Sequence, residues 1–179
     1  MKSSLRQAGL TLIEVMVTII ITTVGMLGVI ALQITGLQES RTSLQRTIAY
    51  TQANMMADYM QANEAAVFDG VFSNLSGNAP ITALVSCTAT ECDQNQMALW
   101  QFARWNNDVI ERLQNGQVFI CEGITGFTSS GPAQCGNALS DIFTIVIYWN
   151  EGNENSTDLS CNGNPGTAQC LQYSVIFRR

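Results

Sequence analysis

One carboxylate and six thiols are the residues of this 179-residue sequence whose type and placement ask for a chemical explanation. Glu14 stands inside "GLTLIEVMVTIIITTVGMLGVIAL", Gly9 to Leu32, a stretch otherwise apolar enough to cross a bilayer. Aspartate, the nearest analogue on the insertion scale, costs about 2.5–3.5 kcal/mol at the centre of a membrane helix and less towards its end. A carboxylate there therefore needs a cation as partner. The six cysteines, Cys87, Cys92, Cys121, Cys135, Cys161 and Cys170, all lie after residue 86. None forms the C-x-x-C cluster that a zinc or redox site needs, so disulfides are expected. Neighbours in sequence should pair, as Cys87–Cys92, Cys121–Cys135 and Cys161–Cys170, because each pair closes a short polar loop whose ends meet easily. Disulfides place everything after the apolar segment in an oxidising space outside the cytoplasm.

What is missing is equally informative. The sequence has no histidine, which removes the commonest general base and metal ligand and excludes histidine-built triads and metal sites. Asp141 and Glu122 are the carboxylates available for acid–base work, but neither has an evident partner. They are expected to be a solvated strand end and a loop charge, so no enzyme activity, cofactor or metal is expected. With 46% apolar and 12% charged residues the chain is of the folded kind, with room for one ordinary domain and an appendage. Its formal net charge of −6 gives no long-range attraction to nucleic acid. A DNA-uptake role would want a basic, aromatic-laced face. After Arg46 the only basic residues are Arg104, Arg112, Arg178 and Arg179.

The elements that must carry these residues follow from pattern. Val15 through Gln38 is a charge-free run of 24 residues, where about 20 suffice to span the hydrocarbon. Lys2 and Arg6 precede it with no acid among them, so the amino end is expected inside and the bulk of the chain outside. A cleaved secretory signal would have a core of ~7–15 residues and an A-x-A-like cut site; this core is longer and no such site follows. Beyond Leu37, Leu44, Ile48, Met55, Tyr59 and Ala62 recur on one helical face, with Gln52 among the polar residues between. With no proline before Pro80, one helix is predicted from Leu10 to about Ala65, weakest by propensity at Gly25 and Gly28. Asp69 to Pro80 is expected to be a loop. A second helix is predicted over Gln94–Gln114 with Ala98, Phe102, Trp105, Val109 and Leu113 as its buried stripe and Trp100 off it. "GQVFIC", "DIFTIVIYW" and "LQYSVIFRR" are expected strands, the second with Phe143, Ile145, Ile147 and Trp149 on one face. The fold class is α+β.

The leader carries a resemblance. "RQAGLTLIEVMV", a short basic stretch ending in Gly9 and followed by Leu10, Thr11, Leu12, Ile13 and Glu14, resembles the class III signal of type IV pilins and pseudopilins. Leu10 stands where phenylalanine is usual. "QANMMADYMQAN" and "CTATECDQNQMALWQFARWNNDVIERLQNGQVFIC" further resemble the PilV-like minor pilins. The resemblance implies a pilin-like fold, a long N-terminal helix packed on a small antiparallel sheet. It divides the chain into a cleaved leader (1–9), a helix (10–65, membrane-spanning over about 10–37) and a disulfide-stapled domain in the periplasm (66–179). It implies cleavage after Gly9 by a prepilin peptidase, N-methylation of Leu10, and pairing of Glu14 with a terminal amine, a neighbour's or the chain's own, during assembly. The implied role is that of a minor pilin that helps prime a type IV pilus and sits near its tip. Its partners would be other minor pilins, the major pilin and the inner-membrane assembly machinery, with a tip adhesin as a further candidate. The implied location is the inner membrane and, after assembly, the extracellular fibre. The alternative is a minor pseudopilin of a type II secretion system, which shares leader, helix and small sheet.

Overall fold

The computed structural model describes residues 11–123, 127–128, 131–132, 141–150 and 168–176. The first helix, α1, is Leu12–Ala62, 51 residues. The chain divides into two compact units, Met1–Ser43 and Leu44–Arg179, so α1 contributes its first part to one and its last part to the other.

In the first unit every side chain from Leu12 to Arg41 is exposed. A helix keeps all its interior backbone groups hydrogen-bonded, and four threonine side chains here do the same. The Thr18 hydroxyl donates to the Val15 carbonyl at 2.9 Å, Thr22 to Thr18 at 2.8 Å, Thr23 to Ile20 at 2.9 Å and Thr35 to Ala31 at 3.1 Å. Such back-bonding lets a threonine enter an apolar medium without an orphaned donor.

In the second unit the last turns of α1 bury Ala49, Gln52, Ala53, Met56, Ala57 and Met60. This is a correction to the predicted stripe. Ile48, Met55 and Tyr59 only flank the core, while Leu44 and Ala62 are exposed. Large apolar residues dominate a periodicity count, but three alanines let the helix approach its neighbours more closely than leucine or tyrosine would. The helix also stops earlier than predicted. Buried Asn63 donates from Nδ2 to the Tyr59 carbonyl at 2.7 Å and to Gln101 Oε1 at 2.6 Å, capping the helix end and tying it across the core. A short α2, Glu64–Phe68, follows.

The predicted loop at 69–80 contains a strand, β1 (Leu75–Gly77), that its composition did not announce. Helix α3, Gln94–Arg112, starts at a capping box. Asp93 Oδ1 accepts the Gln96 N–H at 2.7 Å and Gln96 Oε1 accepts the Asp93 N–H at 3.2 Å. Its predicted stripe, Ala98, Phe102, Trp105, Val109 and Leu113, is buried throughout, and Trp100 is half-buried. Next come β2 (Gln117–Glu122), a two-stranded pair β3 (Phe127–Thr128) and β4 (Gly131–Pro132), then β5 (Ile142–Asn150) and β6 (Ala168–Ile176). The small β3–β4 pair thus falls between two of the predicted strands, where the sequence carried no strand pattern.

The main sheet is antiparallel in the order β1-β2-β5-β6. The register sets Val118 opposite Ile147, Ile120 opposite Ile145, and Ile145 and Phe143 opposite Tyr173 and Val175. These residues form one face and share a single core with α1, α2 and α3. Strand β5 is buried on its other face as well, at Thr144, Val146 and Tyr148. Burial on both sides explains why its sequence is an unbroken run of β-branched and aromatic residues. The α+β architecture is the predicted one: a long helix whose last part packs with a small antiparallel sheet.

Candidate functional site

The charged residue that opened the question lies in the first turn of α1. The Thr11 carbonyl accepts the Glu14 N–H at 3.0 Å and the Val15 N–H at 3.3 Å, which starts the helix. Unpaired amides at a helix start carry partial positive charge, so this turn favours an acid. Glu14 is exposed there, as are its apolar neighbours, Leu12 at 79% and Ile13 at 69%. Gly9 and Leu10, the predicted cleavage and methylation residues, lie outside the described residues. The charge-free run after Glu14 spans about 36 Å as helix, against ~30 Å of hydrocarbon. By length and composition α1 is able to cross a membrane. Exposed apolar surface on this scale is not left to water; lipid or protein must cover it.

The second unit positions a different set of residues. Cys87 and Cys92 form a disulfide just before α3. Cys121 and Cys170 are also disulfide-bonded, and among the described residues no cysteine is free. Cys135 and Cys161 lie outside the described residues. Glu122 is not the solvated charge expected from sequence. It is buried at the end of β2, and its Oε2 accepts the Ser73 hydroxyl at 2.6 Å. Asp141 is exposed at the start of β5. No cluster of three or more metal-ligating side chains occurs among the described residues.

Sequence reasoning passed over the polar contacts that fasten α3. The buried Trp105 donates its indole N–H to the Gln52 carbonyl at 2.8 Å. The Gln52 amide donates in turn to Asp108 Oδ2, while Asp108 Oδ1 accepts from Arg112 Nε at 2.7 Å. That hydrogen bond, with the Coulombic attraction behind it, raises the Arg112 pKa. On the neighbouring face Asn106 Nδ2 donates to the Ala79 carbonyl at 2.9 Å. Asn107 holds Ile81 from both sides, accepting its N–H at 2.8 Å and donating to its carbonyl at 2.9 Å. The signal was in the string "WNND", four polar or amphipathic residues in a helix middle. Buried amides in such a place are there to bind backbone that has no ladder.

These features resolve into an acid in the first turn of an uncovered apolar helix and a separate unit stapled by disulfides. Residues 4–30 match the prokaryotic N-terminal methylation motif. The match covers Arg6, Gly9, Leu10, Glu14 and most of the exposed apolar run. The methylation motif supports a type IV pilin or pseudopilin, a structural rather than an enzymatic family, and implies processing by a prepilin peptidase and assembly with other pilins. With the apolar helix it fits membrane anchoring with the C-terminal unit outside. No curated protein and no solved structure shows a significant match to the chain.

Proposed function

We propose that this chain is a minor pilin of a type IV pilus, PilV-like in its domain, that takes part in assembly and is carried in the fibre near its tip. The observation that carries the reading is Glu14 in the first turn of an uncovered apolar helix, inside the methylation motif. In this reading residues 1–9 are the leader, the bond after Gly9 is cut, and the Leu10 amine is methylated. That amine, on this chain or a neighbour, becomes the cation that Glu14 needs. Two opposite charges in low dielectric attract strongly and each alone is penalised, so a subunit with both paired is in register. The disulfides are in keeping with a domain in the periplasm and then outside the cell. The six cysteines and the "ADYMQAN" region favour the pilus over the pseudopilin alternative.

Glu14→Ala tests the reading. The variant should insert in the membrane and be cleaved, since the helix becomes more apolar and Gly9 is untouched. Its incorporation into fibres should fall steeply, because breaking one half of a buried pair costs about 3–5 kcal/mol. Glu14→Gln should lose less, since an amide still accepts a hydrogen bond from the ammonium. Surface piliation and membrane abundance are measured together. Normal abundance with normal incorporation of the alanine form would show that the carboxylate has no assembly role. A defect confined to protein secretion, with pili intact, would favour the pseudopilin.

A further inference from the structure

We propose that the cleft between the segment 79–87 and α3, beside Trp100 and Arg104, docks a segment of another extracytoplasmic protein that carries a carboxylate next to an apolar side chain. The inference stands on the second unit alone and does not rest on the pilin reading. The segment has no strand partner, yet it is pinned in three places. Asn106 holds Ala79, Asn107 holds both backbone groups of Ile81, and a disulfide ties Cys87 to Cys92 at the head of α3. Between the pins it roofs a cleft of about 300 Å³ whose walls include Ile81, Val85, Trp100 and Ala103. Leu84, in the same segment but outside the lining of the cleft, is 100% exposed. The leucine is free to meet whatever enters beside the cleft, and fastening of its segment removes much of the ordering cost that binding would otherwise carry.

Charge decides what fits. Arg104 is the one charged residue lining this cleft. Its guanidinium carbon lies 4.8 Å from the centre of the Trp100 ring, four residues away on the same face of α3. Arg112, one helical stretch further on, is bonded to Asp108; no ion pair to Arg104 is found among the described residues. A guanidinium over an indole keeps its N–H donors for a planar bidentate acceptor, the geometry of a carboxylate. A single cation beside Ile81, Val85, Ala103 and the Trp100 ring suits a carboxylate flanked by hydrocarbon, and Thr82, Ser86 and Asn107 add hydrogen-bonding groups to the lining. A nucleic acid would need several cations, and the net charge of −6 repels a polyanion. Tryptophan and arginine side by side are also the residues that most often dominate protein–protein binding energy. The disulfide fixes the compartment, so the partner is an extracytoplasmic protein.

The test uses the full chain in detergent and two fluorescent peptides, one alternating leucine with glutamate and one alternating leucine with glutamine. Fluorescence anisotropy should show the glutamate peptide bound and the glutamine peptide roughly tenfold weaker, the worth of one charge-assisted bond. Arg104→Glu should abolish binding of the glutamate peptide, with folding verified by circular dichroism and by an intact Cys87–Cys92 bridge. Leu84→Ser should weaken it while leaving the preference for glutamate in place. Equal binding of the two peptides, no binding of the glutamate peptide at about 1 mM, or wild-type binding by folded Arg104→Glu each overturns the proposal. A photo-crosslinker placed at Leu84 that joins the chain chiefly to a second copy of itself also overturns it, by making the occupant a sister subunit.

Discussion

Gly77 sits where β1 passes under α3, and the least possible enlargement there should be costly. A Cβ on Gly77 would lie 1.9 Å from Asn106 Oδ1, 2.6 Å from its Cγ and 3.2 Å from its Nδ2. Asn106 is fully buried and cannot simply swing aside, because its Nδ2 holds the Ala79 carbonyl. Gly77→Ala therefore overpacks the site, at about 1–3 kcal/mol, and strips a buried hydrogen bond, at about 1–3 kcal/mol. The sum, roughly 2–6 kcal/mol, lowers the Tm of a chain this size by about 5–20 °C. Thermal unfolding of the full chain in detergent, followed by tryptophan fluorescence with the disulfides intact, measures it. The second half of the experiment isolates the cause. In an Asn106→Ala background the obstructing atoms are gone, and Gly77→Ala should then cost less than about 1 kcal/mol. Equal cost in the two backgrounds would refute the steric account, as would a loss in the wild-type background below about 0.5 kcal/mol. Backbone conformation is not the competing cause, since Gly77 is not among the glycines with positive φ.

Other outcomes are expected. Mass spectrometry of the mature protein should show residues 1–9 removed and a methylated Leu10. Loss of Lys2 and Arg6 takes the basic count from 8 to 6 against 14 acids, so the net charge moves from −6 to −8; an intact Met1 would sink the pilin reading. Non-reducing peptide mapping should join Cys121 to Cys135 and Cys161 to Cys170 beside the Cys87–Cys92 bridge, and a Cys121–Cys161 peptide would reject the scheme. Burial raises the Tyr148 pKa above its ordinary value near 10. The neutral phenol is thus favoured in the fold, so its contribution is fully present below about pH 10 and is lost as pH rises above it, at up to about 1.4 kcal/mol per pH unit. Tyr148→Phe should flatten the alkaline limb of a stability–pH curve; an unchanged limb would remove Tyr148 from the account.

Elements that announce themselves by composition were legible. The charge-free run located α1, the apolar spacing of Ala98 through Leu113 located α3 and its buried stripe, and the β-branched run located β5. The misses share a physical cause, which is that tertiary partners decided them. "LSG" carries no strand pattern, and only pairing with Val118–Ile120 makes it β1. Along the last turns of α1, closeness rather than bulk chose the buried side, so Ala49, Ala53 and Ala57 face the core in place of Leu44, and Gln52 went in because Asp108 could receive its amide. Glu122 was expected in water and is buried with the Ser73 hydroxyl. The methylation motif was legible because it is local, matched within residues 4–30. The Trp100–Arg104 cleft was not, since half of it is a segment that only Asn106, Asn107 and a disulfide hold in place.

The uncovered face of α1 exposes something besides hydrocarbon. Met16 and Met26 are 56% and 70% exposed, whereas Met56 and Met60 are sealed at 0%. A compartment oxidising enough to close disulfides also threatens thioethers, and a sulfoxide converts an apolar side chain into a polar one. The buried pair is protected by the fold itself. The exposed pair is protected only while lipid or another subunit lies over it. A methionine sulfoxide at position 16 or 26 would then be a chemical scar, left on chains that spent time with this helix bare, and each such scar would make the next covering less favourable.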